Sequence, residues 1–235
     1  INMSLEIRDF PGEFIKNNPD DVKQFIEESS AVIVAIDTPH LMEYSGRYNE
    51  GKNRTKLITE LFRGVLNEHS GEKLIMLVPL KCEKYCHENL IDEVTEQVKR
   101  TYCELIQFLK SQKDETGKPR FACVITPIQT VGQIDFDCFG STNGAIAETS
   151  LDGVPVPMDV RYKYTKPGAK YSPVYCEQPL YYLLSFVSKQ YLRLKDAKED
   201  RGWLQKLRKM WALTPNLNAM LLEVQKMDEK KVSNL

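Results

Sequence analysis

Ala31-Val32-Ile33-Val34-Ala35-Ile36-Asp37-Thr38-Pro39 decides the fold. Six apolar residues in a row, four of them β-branched, with no polar alternation, read as a strand covered on both faces; Asp-Thr-Pro then stops it. Working outward, the segment from Lys52 to Asn67 places Leu57, Ile58, Leu61, Phe62, Val65 and Leu66 at helical spacing and leaves Lys56, Glu60 and Arg63 on the outer face. Leu74 to Val78 is a second buried strand, ended by Pro79. Leu90, Val94, Val98, Tyr102, Leu105 and Leu109 form one stripe on a long helix, followed by a polar turn from Ser111 to Pro119 and a third buried strand, Phe121 to Ile125. Upstream, Val22, Phe25 and Ile26 mark a helix from Asp20 to Glu28, and Leu5-Glu6-Ile7-Arg8 alternates as a short strand ended by Asp9-Phe10-Pro11-Gly12. Apolar strands separated by amphipathic helices define an α/β class with a doubly wound, mainly parallel sheet.

Beyond Thr126 the pattern loosens. Gly132, Gly140, Gly144, Gly153 and the run Val154-Pro155-Val156-Pro157 predict loops or a small hairpin insertion, with Val160 to Tyr164 as an edge strand. Leu180 to Leu194 is apolar nearly all round and predicts a buried helix over the sheet, with Pro179 in its first turn. Asp200 to Met227 reads as two amphipathic helices split near Thr214-Pro215, able to pack on the domain or on a protein partner. The expected organisation is therefore an α/β domain over 1–195 and a helical extension over 196–235.

Composition removes several classes. Lys plus Arg number 32 against 33 Asp plus Glu, so no overall field draws the chain to nucleic acid, which is not expected as a partner. The longest apolar stretch, Leu180 to Val187, is far short of the ~20 residues of a membrane-spanning helix, and no signal-peptide pattern opens the sequence; a cytoplasmic location is the expectation. The six cysteines, Cys82, Cys86, Cys103, Cys123, Cys138 and Cys176, are scattered through apolar or helical contexts and read as reduced. Cys82, Cys86 and His87 lie close together, but no second pair supplies the remaining ligands of tetrahedral zinc, so no zinc is expected.

Ligands of open parallel sheets bind at the carboxyl ends of the strands. Those ends carry Asp9-Phe10-Pro11-Gly12, Asp37-Thr38-Pro39, Lys81-Cys82-Glu83 and Thr126-Pro127-Ile128-Gln129-Thr130. In that order the motifs resemble the translation-factor-related (TRAFAC) class of P-loop GTPases, over about residues 3 to 190. The phrase Val78 to Tyr85, with Thr126 to Gly132 downstream, looks like bacterial double-GTPase and conflict-system GTPase domains. The resemblance implies GTP or GDP with magnesium. Asp9 would hold Mg²⁺ through water and the Gly12 amide would contact the γ-phosphate. Lys81 would lay its stem over the base, Glu83 would accept from the guanine edge, and a backbone amide after Thr126 would approach the base oxygen. Leu80 stands where the family has Asn. Glu13 stands where relatives place a water-positioning residue; a carboxylate there opposes the γ-phosphate charge, so plain solvent exposure is the alternative. No Gly-x-x-x-x-Gly-Lys-Ser/Thr occurs in these residues. The resemblance thus implies either a phosphate loop earlier in a larger bacterial protein, or a scaffold that keeps the fold without hydrolysis. Asp9 and Gly12 read equally as a turn, Lys81 and Glu83 as a surface ion pair, and His40 and His69 as loop residues. Tyr162, Tyr164, Tyr171 and Tyr175 with Arg161, Lys163, Lys166 and Lys170 read as an amphipathic hairpin or, less simply, a stacking surface for nucleic acid.

Overall fold

The computed structural model describes residues 6–10, 12–67, 69–140, 146–151 and 153–194. The chain divides into two units, Ile1–Leu184 and Ser185–Leu235. Every strand among the described residues falls in the first unit. The expected helices of 196–235 lie outside the described residues.

Three strands, β1 (Ala31–Asp37), β2 (Lys73–Leu80) and β3 (Phe121–Ile125), form one parallel sheet in the order β1-β2-β3. Helices connect them. Upstream of β1 are α1 (Gly12–Asn17) and α2 (Pro19–Glu28). Between β1 and β2 run α3 (Thr38–Met42), α4 (Asn49–Asn53) and α5 (Thr55–Val65), and between β2 and β3 run α6 (Glu83–His87), α7 (Ile91–Thr101) and α8 (Cys103–Ser111). Each parallel step needs such a crossover, because the chain must return to the sheet's amino edge before pairing again. Val34 and Ile36 of β1, Ile75 and Leu77 of β2 and Phe121 of β3 share one face with Val22 and Ile26 of α2, Leu61, Phe62 and Val65 of α5 and Leu105 and Leu109 of α8. This is the main core, each large side chain in it contributing about 1.5–3 kcal/mol of burial.

The expected helix over Lys52–Asn67 is two, broken at Arg54, which takes a left-handed φ of 48° and ends α4. The long stripe from Leu90 to Leu109 is likewise divided into α7 and α8 at Tyr102. The first stripe begins at Leu57, beyond its break, and the second passes through its break because Tyr102 itself stays in the core. Beyond β3, β4 (Ile134–Phe139), β5 (Glu148–Leu151), β6 (Val154–Pro157) and β7 (Val160–Tyr164) make two antiparallel pairs, β4 with β7 and β5 with β6, followed by α9 (Gln178–Leu194). Val160–Tyr164 is thus a strand of a two-stranded ribbon. The first residues of α9 are not buried as its composition suggests: Leu180 is 45% exposed.

Two expectations are overturned at the start of the sheet. Residues 6–10 form no strand. Arg8 instead pairs with Glu28 at 3.2 Å and lies over the Phe25 ring, and Phe10 stacks on Phe25 at 4.7 Å, so the segment is held against α2 rather than against a ladder. In addition, β1 is not covered on both faces. Ile33 is 55% exposed and Ala35 is exposed, while their neighbours across the ladder, Met76 and Val78, are buried.

Candidate functional site

All three strands end at one edge. Asp37 pairs with Leu80 at the close of β1 and β2, and the Thr126 amide donates to the Leu77 carbonyl at 3.0 Å just beyond β3. The two loops that leave β2 and β3 remain joined past the sheet. The Ile128 amide donates to the Pro79 carbonyl at 2.8 Å and the Cys82 amide to the Ile128 carbonyl at 3.1 Å.

Asp37 sits at the centre of this edge. Its side chain caps α3 by accepting from the His40 amide at 3.3 Å, with the His40 ring Nδ1 2.6 Å from the same Oδ1. Its Oδ2 accepts from Lys81 Nζ at 2.6 Å. Asn53 takes the main chain: its Oδ1 accepts from the Asp37 amide at 2.8 Å and its Nδ2 donates to the Asp37 carbonyl at 3.1 Å. Burial alone pushes the carboxyl up; the bond and charge of His40, then those of Lys81, outweigh it and hold Asp37 well below the usual carboxylate range. Burial pushes the Lys81 ammonium down, and the bond to Asp37 outweighs that and leaves it raised. Lys81 adopts a left-handed φ of 61°, a conformation a long side chain holds only when its surroundings impose it. Its Nζ also lies 5.6 Å from the Tyr162 ring centre on β7.

Glu83 opens α6 and is 4% exposed. Its Oε1 accepts from the Val131 amide at 2.6 Å, the Thr130 hydroxyl at 3.2 Å and the Gly132 amide at 3.3 Å. The loop after β3 is thereby wrapped around one carboxylate oxygen. Only glycine fits position 132, because φ is +98° and an added Cβ would stand 2.0 Å from the Ser172 carbonyl oxygen. Thr126 is buried and its hydroxyl bonds Gln178 Oε1.

The structure therefore brings Lys81, Glu83 and Thr126 together at the carboxyl edge. It does not bring Asp9 with them. Glu28, which Arg8 holds, leads through Ser29 and Ser30 into the amino end of β1, so the exposed Asp9 lies toward the opposite edge. Gly12 and Glu13 occupy the first turn of α1 on the same side. Sequence reasoning placed Asp37 at a strand end without giving it a role, read His40 as a loop residue and passed over Asn53. Asp-Thr-Pro at the head of a helix is an N-cap signature and could have drawn attention to Asp37; nothing in the sequence marks Asn53.

Further along the edge, Lys84 Nζ and the Tyr85 hydroxyl both donate to Glu43 Oε1, at 2.7 and 2.8 Å, and His87 Nδ1 is 2.8 Å from Asp135 of β4. Cys82 is fully buried, with Sγ 3.3 Å from the Thr38 hydroxyl and 3.3 Å from the Pro79 carbonyl. Burial pushes its thiol up to about 12, so it is no thiolate nucleophile at neutral pH. Cys82 faces inward while His87 is turned to Asp135, and no cluster of three or more His, Cys, Asp or Glu able to hold a metal occurs among the described residues. Nor does any helix among them reach the length and apolarity needed to cross a membrane.

No protein-family model, curated protein or solved structure matches this chain. Its function must therefore be sought in the geometry and chemistry of this edge.

Proposed function

We propose that the chain is the base-recognising part of a GTPase-like, guanine-nucleotide-binding switch domain, with a doubly wound parallel sheet, belonging to a larger cytoplasmic bacterial protein. One observation carries the reading. Lys81 and Glu83 leave β2, and Thr126 leaves β3, at adjacent points of one sheet edge, in the order the resemblance requires. Such edges are where open parallel sheets bind ligands. Lys81 would exchange the Tyr162 ring for a base face, and Glu83 would offer its carboxylate to the guanine donors.

The residues present fit the base better than the phosphates and magnesium. Asp9, the carboxylate that would orient a hydrated Mg²⁺, stands toward the other edge of the sheet with Gly12 and Glu13. Magnesium would supply charge neutralisation at the β- and γ-phosphates, but these residues do not form a site for it in this arrangement.

A second reading has its own support. Three donors converge on Glu83 Oε1, the pattern of a carboxylate that organises a loop, and this favours a nucleotide-free scaffold that presents its surface to a protein partner. Calorimetry on the full natural protein with GTP and ATP separates the two. The nucleotide reading expects GTP to bind in preference to ATP and Lys81→Ala to weaken GTP about tenfold, equivalent to ~1.4 kcal/mol. Absence of GTP binding, or binding unmoved by Lys81→Ala, would leave the scaffold reading in its place.

A further inference from the structure

The balanced total charge conceals a local segregation. Between Val160 and Cys176 there is no Asp or Glu, while Arg161, Lys163, Lys166 and Lys170 supply four cations and Tyr162, Tyr164, Tyr171 and Tyr175 four phenol rings. The centre of this stretch, Tyr164-Thr165-Lys166-Pro167-Gly168-Ala169-Lys170-Tyr171, places a Tyr and a Lys on each side of a Pro-Gly turn. Lys163 is engaged by Asp137 at 3.3 Å and Tyr162 by Lys81. The rest of the loop faces water.

The exposure is unusual in kind. Tyr164 is 70% exposed and Tyr171 74%, although phenol rings on a folded surface are ordinarily half covered. Residues 162–168 are exposed without interruption, and a shallow depression is lined by Tyr164 through Ala169. The loop is nevertheless pinned at its neck. The Gln133 carbonyl accepts from the Thr165 amide at 3.1 Å, Gln133 Oε1 accepts from the Lys170 amide at 3.1 Å, and the Ser172 amide donates to the Val131 carbonyl at 2.9 Å. Gly168, with a φ of +74°, turns the tip, and Ala169 bonds back to Lys166. Tyr164 and Tyr171 thus flank one neck, with Lys166 and Lys170 between them in the sequence. The shape is set before any partner arrives, which lowers the ordering cost of binding.

We infer that the loop Tyr164–Tyr171 is a docking surface for single-stranded nucleic acid, Tyr164 and Tyr171 stacking on unpaired bases while Lys166 and Lys170 neutralise phosphates. Two aromatic faces flanking two cations on one exposed loop suit a strand that offers unpaired bases and phosphates together. An acidic protein would use the cations but leave the rings without a specific role. A duplex would hide its base faces from the tyrosines.

Fluorescence anisotropy with a labelled oligothymidylate of about 12 nucleotides tests this on the intact chain. Affinity should fall with salt with a logarithmic slope near about −1.4, about −0.7 for each of two phosphate contacts. Tyr164→Ala and Tyr171→Ala should each weaken binding about tenfold without changing that slope, and Tyr171→Phe should restore it, because stacking needs the ring and not the hydroxyl. Lys166→Ala with Lys170→Ala should flatten the slope to about zero. These positions are exposed, so the variants should keep the parent's circular dichroism and thermal midpoint. Lys99→Ala, which removes an exposed cation of α7 outside the loop, should leave oligonucleotide binding unchanged, which separates this surface from surface charge in general. No binding at low salt, binding insensitive to both tyrosines, equal affinity for a duplex of the same length, or competition by polyglutamate with the tyrosine variants unaffected would each overturn the assignment.

Discussion

β1 and β2 lie side by side, parallel, in register from Ala31↔Leu74 to Asp37↔Leu80, and are almost equally apolar, yet they live in different surroundings. Leu74 through Val78 are all 2% exposed or less, whereas Ile33, in the middle of β1, is 55% exposed. The difference is position in the sheet. Among the described residues β2 is flanked by ladders on both sides and β1 on one, with Asn53 standing in for a neighbouring strand at Asp37. An apolar run reports that a strand wants cover, not that it has obtained it. The edge strand closes on a dense polar network, and the central strand hands its chain to Lys81, which joins that network, and to Glu83, which organises the loop after β3.

The contrast can be broken most forcefully in the central strand. Ile75→Ala should cost about 4 kcal/mol, as expected for a fully buried β-branched side chain whose neighbours cannot collapse into the hole, read as a lowered urea midpoint. A loss under about 1 kcal/mol would mean that β2 is not the centre of the core. Next comes Glu83→Ala, which strands the Val131 and Gly132 amides and should cost about 3 kcal/mol; Glu83→Gln should recover part of this, since the amide oxygen still accepts.

Asp37→Asn should cost about 2 kcal/mol at neutral pH through loss of the charge-assisted bonds to Lys81 and His40. The folded pKa of Asp37 lies below its unfolded value, so its contribution is complete above about pH 4 and disappears as the pH falls through the depressed folded value. Denaturation at pH 7 and again in acid should show the wild type losing this increment and Asp37→Asn having none to lose. An equal acid response in both would remove Asp37 from its central place. The smallest effect is expected at Ile33. Ile33→Ala should change stability by no more than about 0.5 kcal/mol, against the much larger cost at Ile75 one ladder away. A cost comparable to that of Ile75→Ala in the full natural protein would show that a further element covers the edge there.

The parallel sheet was legible in the sequence because three separate apolar runs, each bounded by turn residues, leave little freedom of interpretation. The adjacency of Lys81, Glu83 and Thr126 follows from the same rule, since parallel strands end at one edge. Asp9 was not placed by that logic. Leu5-Glu6-Ile7-Arg8 alternates as a strand should, but Arg8 and Phe10 found an ion pair and a ring on α2, and four alternating residues cannot outweigh such contacts. His40 read as a loop residue and is instead a buried partner of Asp37. The clustered tyrosines and lysines were visible as a composition, while their exposure and the pinned neck between them were not.

The sequence by itself determined the alternation of helix and strand, the parallel pairing, and the edge at which polar residues gather, because periodicity and turn chemistry act over a few neighbouring residues. Only the tertiary structure decided which apolar strand lies at the edge, which carboxylate is buried and which donors it meets. Asp37 and Lys81 are separated by 44 positions, and Glu83 and Val131 by 48. Contacts over such distances are chosen by the packing of the elements between them, and no local pattern encodes that.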